Sequence, residues 1–334
     1  MDFKKIDRRA ALKAGAALAA SAALPVSFTV SAQAKTLRFA AVFSDKDIRA
    51  DMIRMLAKDI ESDFKVEPFF NASLFKQGTE LVALQRDNLE LGNIAPQDIS
   101  KQITAWSILT SAYLFRDANH LFNFWSSELG AQYKKQAEEQ VKIKVLGPTF
   151  FGTRQVGLKV KKKINTPADM AGIKLRMPPG DAWQLLGRSL GANPTPMAFA
   201  ETYTGLQTGA IDGQDNPLPN VNAVKFYEVM SQIVLTSHLI GYDLLCMNLK
   251  LWNSLPPAKR KSLQAAVDKA LKWSTDEHLK REGELADTFK KQHGLEIYTP
   301  NVAAFRAYAQ KVYLASDEAK EWPKGMLEKI SAIK

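Results

Sequence analysis

At 334 residues, 46% of them hydrophobic, the chain is long enough for two domains with buried cores. A single cysteine, Cys246, excludes an intramolecular disulfide framework. The net charge of +10 is spread along the sequence, with Lys161-Lys162-Lys163 as its compact run; without an aromatic-interleaved basic tract it argues against nucleic acid and favours small anions.

Residues 1–34 read as an export signal. Lys4, Lys5, Arg8 and Arg9 form a positive head, Ala14 to Val30 an Ala-rich apolar run, and Ala32-Gln33-Ala34 a cleavage site, so cleavage is expected after Ala34. Asp7-Arg8-Arg9-Ala10-Ala11-Leu12-Lys13 matches a twin-arginine signal; a Sec signal that happens to hold two arginines is the alternative. No apolar stretch reaches the roughly 18 to 20 residues of a membrane anchor, and no Cys follows the cleavage site for a lipid. The expected location is the periplasm.

Thr36 to Phe43 is predicted as a buried first strand ending in the polar loop Ser44-Asp45-Lys46-Asp47. Ile48, Met52, Met55, Leu56 and Ile60 then recur at helical spacing. Phe64 to Phe70 is a second strand, Gly78 to Asn88 a helix and Leu89 to Ala95 a third strand. Alternation of this kind builds a doubly wound parallel sheet, with ligand-facing loops at Ser44-Asp45, Asn71 to Gln77 and Pro96-Gln97-Asp98. Val141 to Thr149 and Arg154 to Val160 are predicted as two strands joined by Phe150-Phe151-Gly152-Thr153, the second carrying the chain into another domain. There, Ile173 to Met177 alternates as a strand and is stopped by Pro178-Pro179-Gly180. A helix around Trp183 to Leu190, a strand at Pro194 to Met197, a helix from Phe199 to Thr208 and a strand from Ile211 to Asn216 follow. Gln232 to Thr236 and Tyr242 to Asn248 form the return crossing. A helix from about Pro256 to His293, roughly 57 Å at 1.5 Å per residue, is longer than one domain needs, and the tail from Asn301 is helical.

Two strand ends, one carrying Arg176 and the other Asn216, each followed by a helix, are how an open α/β sheet builds a ligand crevice. The stretch is distinctive in order and spacing: the Lys174-Leu175-Arg176 strand with its two prolines, Asn193 to Met197, Glu201 to Pro217, then Phe226 to Val229 and Leu235 to Leu239. It resembles the periplasmic solute-binding subunits of TRAP (tripartite ATP-independent periplasmic) transporters, and the likeness runs from about Lys35 to the C-terminus. The resemblance implies a two-lobed α/β binding protein with two mixed or parallel sheets, crossover strands and a long helix spanning both lobes. Lobe I would begin with residues 35–153 and lobe II would be mainly 154–243. Residues 244–334 would hold the return strand, the long helix and the C-terminal helices. It further implies a small organic acid as ligand, integral-membrane transporter subunits as partner, no nucleotide, no cofactor and no enzymatic activity.

Arg176 is the principal candidate, because a planar guanidinium grips a carboxylate with two parallel hydrogen bonds. The resemblance assigns the carboxylate salt bridge to Arg176 and adds Asn216 and Arg154. Read from the residues alone, Arg176 could equally be a surface strand-end arginine, and Arg154 could pair with an acidic neighbour. Phe151 is a candidate apolar wall. Ser44, Asp45, Gln77, Gln97, Asp98 and Tyr242 are candidates for ligand hydroxyls, and Asp215 could either accept from a hydroxyl or repel part of an anion. A hydroxy- or sugar-acid carboxylate is favoured over a dicarboxylate or an aromatic acid. Gly187-Arg188-Ser189-Leu190-Gly191 fits the nucleophile elbow G-x-S-x-G, but that motif needs a strand before its serine and here a helix is predicted. The four histidines show no metal-ligand spacing, and His238 reads as a hydrogen-bonded structural residue. A binding component of another importer or sensor remains the other reading.

Overall fold

The computed structural model describes residues 35–334; the twin arginines and the cleavage site after Ala34 lie outside the described residues. Leu37 and Phe39 are fully buried in β1 (Lys35–Ala40), which pairs in parallel with β2 (Phe64–Phe69) and β3 (Leu91–Ile94). The crossover from β1 to β2 is α1 (Ile48–Asp59). Asp47 caps its start by accepting from the Arg49 N–H, and Met52, Ile53 and Leu56 seal it onto the sheet. α2 (Glu80–Gln85) leads into β3 and α3 (Pro96–Ser100) out of it.

The second half repeats the scheme. β5 (Lys174–Met177) pairs in parallel with β6 (Asn193–Pro196) and β7 (Gly213–Asn216). α4 (Asp181–Ser189) and α5 (Thr202–Thr208) are the crossovers, and α6 (Leu218–Ala223) follows β7. A short 3-10 turn, Phe199–Glu201, precedes α5 where one continuous helix was expected.

Two long antiparallel strands join the halves. β4 (Ile143–Leu158) is one strand of 16 residues, and β8 (Gln232–Asn248) is one of 17. The loop expected at Phe150 to Thr153 and the break expected between Thr236 and Tyr242 are therefore absent. Register shifts between Val145 and Gly147, Phe150 and Gly152, and Arg154 and Val156 interrupt the alternation, which makes bulged strands read as pairs of short ones. The sheet order is β2-β1-β3-β8-β4-β7-β5-β6, with β9 (Glu296–Tyr298) paired to β8. The two expected sheets thus share β4 and β8 and are hydrogen-bonded into one.

Gly152 sits opposite Gly241 in these strands, at a φ of +114°. A Cβ on Gly152 would lie 2.7 Å from the Pro217 Cβ, and one on Gly241 would lie 2.7 Å from the Gly152 carbonyl oxygen. Only glycine fits at either position. The long helix α7 (Pro257–His293) braces both halves. Leu263, Val267 and Ala270 enter the core beneath β1 and α1, whereas Leu285 and Phe289 enter the core around Leu206, Val221 and Phe226. Among the described residues no helix is long and apolar enough to cross a membrane.

Candidate functional site

The parallel strands of both halves end at one cavity of about 680 Å³, open solvent at its mouth included. Val42 and Phe43 follow β1, Gln77 and Glu80 follow β2, and Ala95 and Asp98 follow β3. From the other half come Pro178 and Pro179 after β5, Phe199 after β6, Asn216 at the end of β7 and Asn220 on α6. Placement beyond the carboxyl ends of the strands is where open α/β sheets bind ligands.

Arg176, at the end of β5, is 1% exposed. Its Nε donates to the Met197 carbonyl at 2.8 Å and its Nη2 to Gln77 Oε1 at 3.3 Å; Gln77 Oε1 also accepts from the Phe199 N–H at 2.8 Å. These partners are neutral. Among the described residues no carboxylate lies within salt-bridge distance of Arg176. Burial pulls its pKa down to about 9, which leaves the charge in place at neutral pH.

Arg154, on β4, is neutralised. Its Nε donates to Asp215 Oδ2 at 2.7 Å and its Nη2 to Asp215 Oδ1 at 3.0 Å. His238 Nε2 lies 3.0 Å from the same Oδ2, and its Nδ1 lies 2.8 Å from Thr236 Oγ1. Burial would raise the Asp215 carboxyl, but the Arg154 charge and the hydrogen bonds from His238 and Arg154 outweigh it and hold the group well below its usual range. Burial lowers His238 in turn, so it sits here as a neutral, hydrogen-bonded ring. Arg154 stands over Trp183 with 5.0 Å to the ring centroid.

A third arginine, Arg49 of α1, carries the opposite wall. It forks onto Asp47 (Nε to Oδ1 and Nη2 to Oδ2, both 2.9 Å) and donates from Nη1 to Asp243 Oδ2 at 2.9 Å. The guanidinium is held between the rings of Phe43 and Phe151, at 4.2 and 4.1 Å from their centroids. Asn93 donates to Asp243 at 2.7 Å and Asn220 to Asp47 at 3.2 Å. Burial, backed by the neighbouring Asp98 charge, raises Glu80 to about 7 against the hydrogen bond from the Gly78 N–H.

Of the residues singled out from the sequence, Arg176, Arg154, Asn216, Gln77, Asp98 and Phe151 line this cavity. Asp98 is tied to Lys101 at 2.6 Å. Gln97 and Tyr242 line a smaller adjoining space behind Phe151, Arg154 and Trp183. Ser44 and Asp45 do not line it: the Ser44 hydroxyl accepts from the Lys46 N–H, and Asp45 is exposed. Asp215 lies beneath Arg154 and is used up as its counter-charge.

Sequence reasoning missed Arg49, Glu80, Asn93, Asn220 and Asp243. Arg49 sits on an amphipathic helix face where Ala50 and Ile53 also point inward, and an arginine there reads as solvated. The overlooked signal was Asp47 as the cap two residues earlier, which offers that arginine a buried partner.

Ser189 closes α4, is fully buried, and its hydroxyl donates to the Leu186 carbonyl at 2.7 Å. No strand precedes it, so the arrangement is not a nucleophile elbow. Cys246 is a buried thiol that burial pushes up, and so unreactive.

The model of the bacterial extracellular solute-binding protein family 7 matches residues 39–319. The sialic acid-binding periplasmic protein SiaP of Vibrio cholerae is 28% identical over 288 residues, 85% of this chain and 89% of that one. A TRAP periplasmic solute-binding protein of Roseobacter denitrificans, solved with bound 3-deoxy-D-manno-oct-2-ulosonic acid (KDO), is 38% identical with a TM-score of 0.88, covering 90% of this chain and 100% of that one. Another from Roseobacter denitrificans, with bound β-D-glucuronate, is 26% identical with a TM-score of 0.83, over 90% and 100% of the two chains.

Proposed function

This chain belongs to the bacterial extracellular solute-binding protein family 7, and from that premise we propose that it captures a small organic acid anion whose carboxylate docks on Arg176. It is a TRAP-type solute-binding protein, a transport component and not an enzyme. The observation that carries the proposal is the charge on Arg176, buried to 1% exposure and matched by no carboxylate among the described residues. A buried, unpaired guanidinium is costly, and a ligand carboxylate supplies the missing partner in the fork geometry that arginine favours. Arg154 contributes fixed donors rather than net charge, because Asp215 already balances it. Asn216 donates to Gln214 at 2.6 Å, which fixes its amide beside the same pole. The ligand-bound relatives described above carry sugar acids, and a hydroxy- or sugar-acid carboxylate is the class this cavity suits.

We infer that release and capture turn on β4 and β8, the two strands shared by both halves, with lobes divided at residues 153/154 and 243/244. Gln77 reaches from the β2 side to Arg176 and Phe199, and Asn220 reaches from the β7 side to Asp47. Such hydrogen bonds across the cleft support closure around a bound solute. Export by the twin-arginine route, cleavage after Ala34 and delivery to an integral-membrane TRAP complex complete the reading. The test is calorimetry of the mature protein with β-D-glucuronate and KDO, beside the Arg176→Ala variant. Binding to the wild type that drops at least 30-fold in the variant supports the anchor; unchanged affinity removes it.

A further inference from the structure

The two ends of the cavity differ in charge. At the β5 end, Arg176 contributes a positive charge and the Arg154 charge is cancelled by Asp215. At the β1 and β3 end, Arg49 lies between two carboxylates, Asp47 and Asp243. Burial raises Asp243 to about 6, so at neutral pH this trio is mainly a net anion. The Asp98 charge is cancelled by Lys101. β3 and β5 stand four places apart in the sheet order.

The anionic end is also short of hydrogen-bond donors. Asn93, Asn220 and Glu80 all line the cavity and are 7%, 3% and 3% exposed. Asn93 Oδ1, Asn220 Oδ1 and Glu80 Oε1 are buried oxygens with no hydrogen-bond partner. The asparagine oxygens cannot become donors by turning the amide over. Asn93 Nδ2 is spent on Asp243 and Asn220 Nδ2 on Asp47, and a flip would set oxygen against carboxylate oxygen. An unmatched buried acceptor is costly. Asn93 and Asn220 flank the Arg49 trio and Glu80 stands three residues from Gln77, and all three oxygens need donors from outside the protein.

We propose that the site selects a singly charged carboxylate whose far end bears hydroxyl groups, with Asn93, Asn220 and Glu80 as the specificity residues that accept from those hydroxyls. A second anionic group at that end meets acceptors and a net negative charge, so dicarboxylates of matching length are rejected. The proposal rests on the reading that Arg176 anchors the carboxylate, and it adds what the other end of the ligand must be.

The experiment is isothermal titration of the mature chain at pH 7.5 with β-D-glucuronate, KDO, hexanoate, adipate and neutral methyl β-D-glucoside. One of the hydroxylated acids should bind at least 30-fold more tightly than hexanoate and adipate. The variant Asn93→Leu/Asn220→Leu should shrink that ratio below threefold by weakening the hydroxy acid; Glu80→Gln, a milder change, should weaken the hydroxy acid about fivefold. The wild-type panel decides the matter even if the double variant fails to fold. Adipate or hexanoate binding as tightly as the best hydroxy acid overturns the selectivity and leaves the Arg176 anchor standing. Binding of no carboxylate, or of the glucoside as tightly as the acids, overturns the anchor and the selectivity together.

Discussion

Arg176 and Arg154 lie in one cavity, yet their removal should act in opposite directions on the ligand-free protein. Arg176 is buried without a carboxylate, so Arg176→Met removes an uncompensated charge while keeping the stem's volume. The melting temperature of the ligand-free variant should stay level or rise, and solute binding should fall by roughly 2 to 4 kcal/mol, the scale of breaking a buried ion pair. Arg154→Met instead strands Asp215, which is fully buried, and should cost about 3 to 5 kcal/mol of folding stability. Differential scanning fluorimetry of the two variants without ligand separates the cases; equal destabilisation would mean that Arg176 is balanced within the fold.

Glu80 gives a pH signature at the same scale. Its folded pKa is raised by burial to about 7, so between the ordinary carboxylate value and 7 the folded chain holds a proton that the unfolded chain has released. Stability from this group is present at low pH and is lost as pH rises through that window. Glu80→Gln should therefore gain on wild type by roughly 2 kcal/mol between pH 5 and pH 8, measured by urea denaturation at both values. A constant difference across that range would contradict the assignment.

Among the elements, β4 and β8 have the most exacting local chemistry. Gly152 combines a φ of +114° with a close approach to Pro217. Gly152→Ala should cost roughly 2 to 3 kcal/mol through backbone strain alone, with the clash added to it. Next to it, the Thr153 N–H donates to the carboxylate of Glu282 on α7, so the long helix holds the strand at the point where it passes between halves. Glu282→Ala leaves that N–H without its acceptor and should cost about 1 to 3 kcal/mol, read as a lower urea midpoint. An unchanged midpoint would make the bond incidental.

The whole molecule is organised so that one cleft draws walls from both halves while a continuous sheet and α7 keep them together. Solute binding across it should raise the melting temperature with ligand concentration, because whatever binds only the folded state stabilises it by mass action. Export belongs to this scale too. Replacing Arg8 and Arg9 with Lys should leave precursor in the cytoplasm, since a twin-arginine receptor reads the paired guanidinium groups; normal amounts of mature protein in the periplasmic fraction would assign the segment to the Sec route.

Local periodicity and stop signals marked the strand-helix-strand units of both halves from the sequence, because such a unit is settled by burial patterns within about 30 residues; the helices Ala118–Ser126 and Glu128–Gln136 were not foreseen. The same signals marked the strand ends at Arg176 and Asn216. The unity of β4 and β8 was hidden, since bulges shift side-chain direction without leaving a mark in composition. Which charges cancel was hidden as well. Arg154 meets Asp215 across 61 residues of sequence and Arg49 meets Asp243 across 194, pairings that no local pattern encodes. Sequence supplied the arginines and carboxylates; the tertiary fold, by pairing some and leaving Arg176 bare, decided which of them is free to hold a ligand.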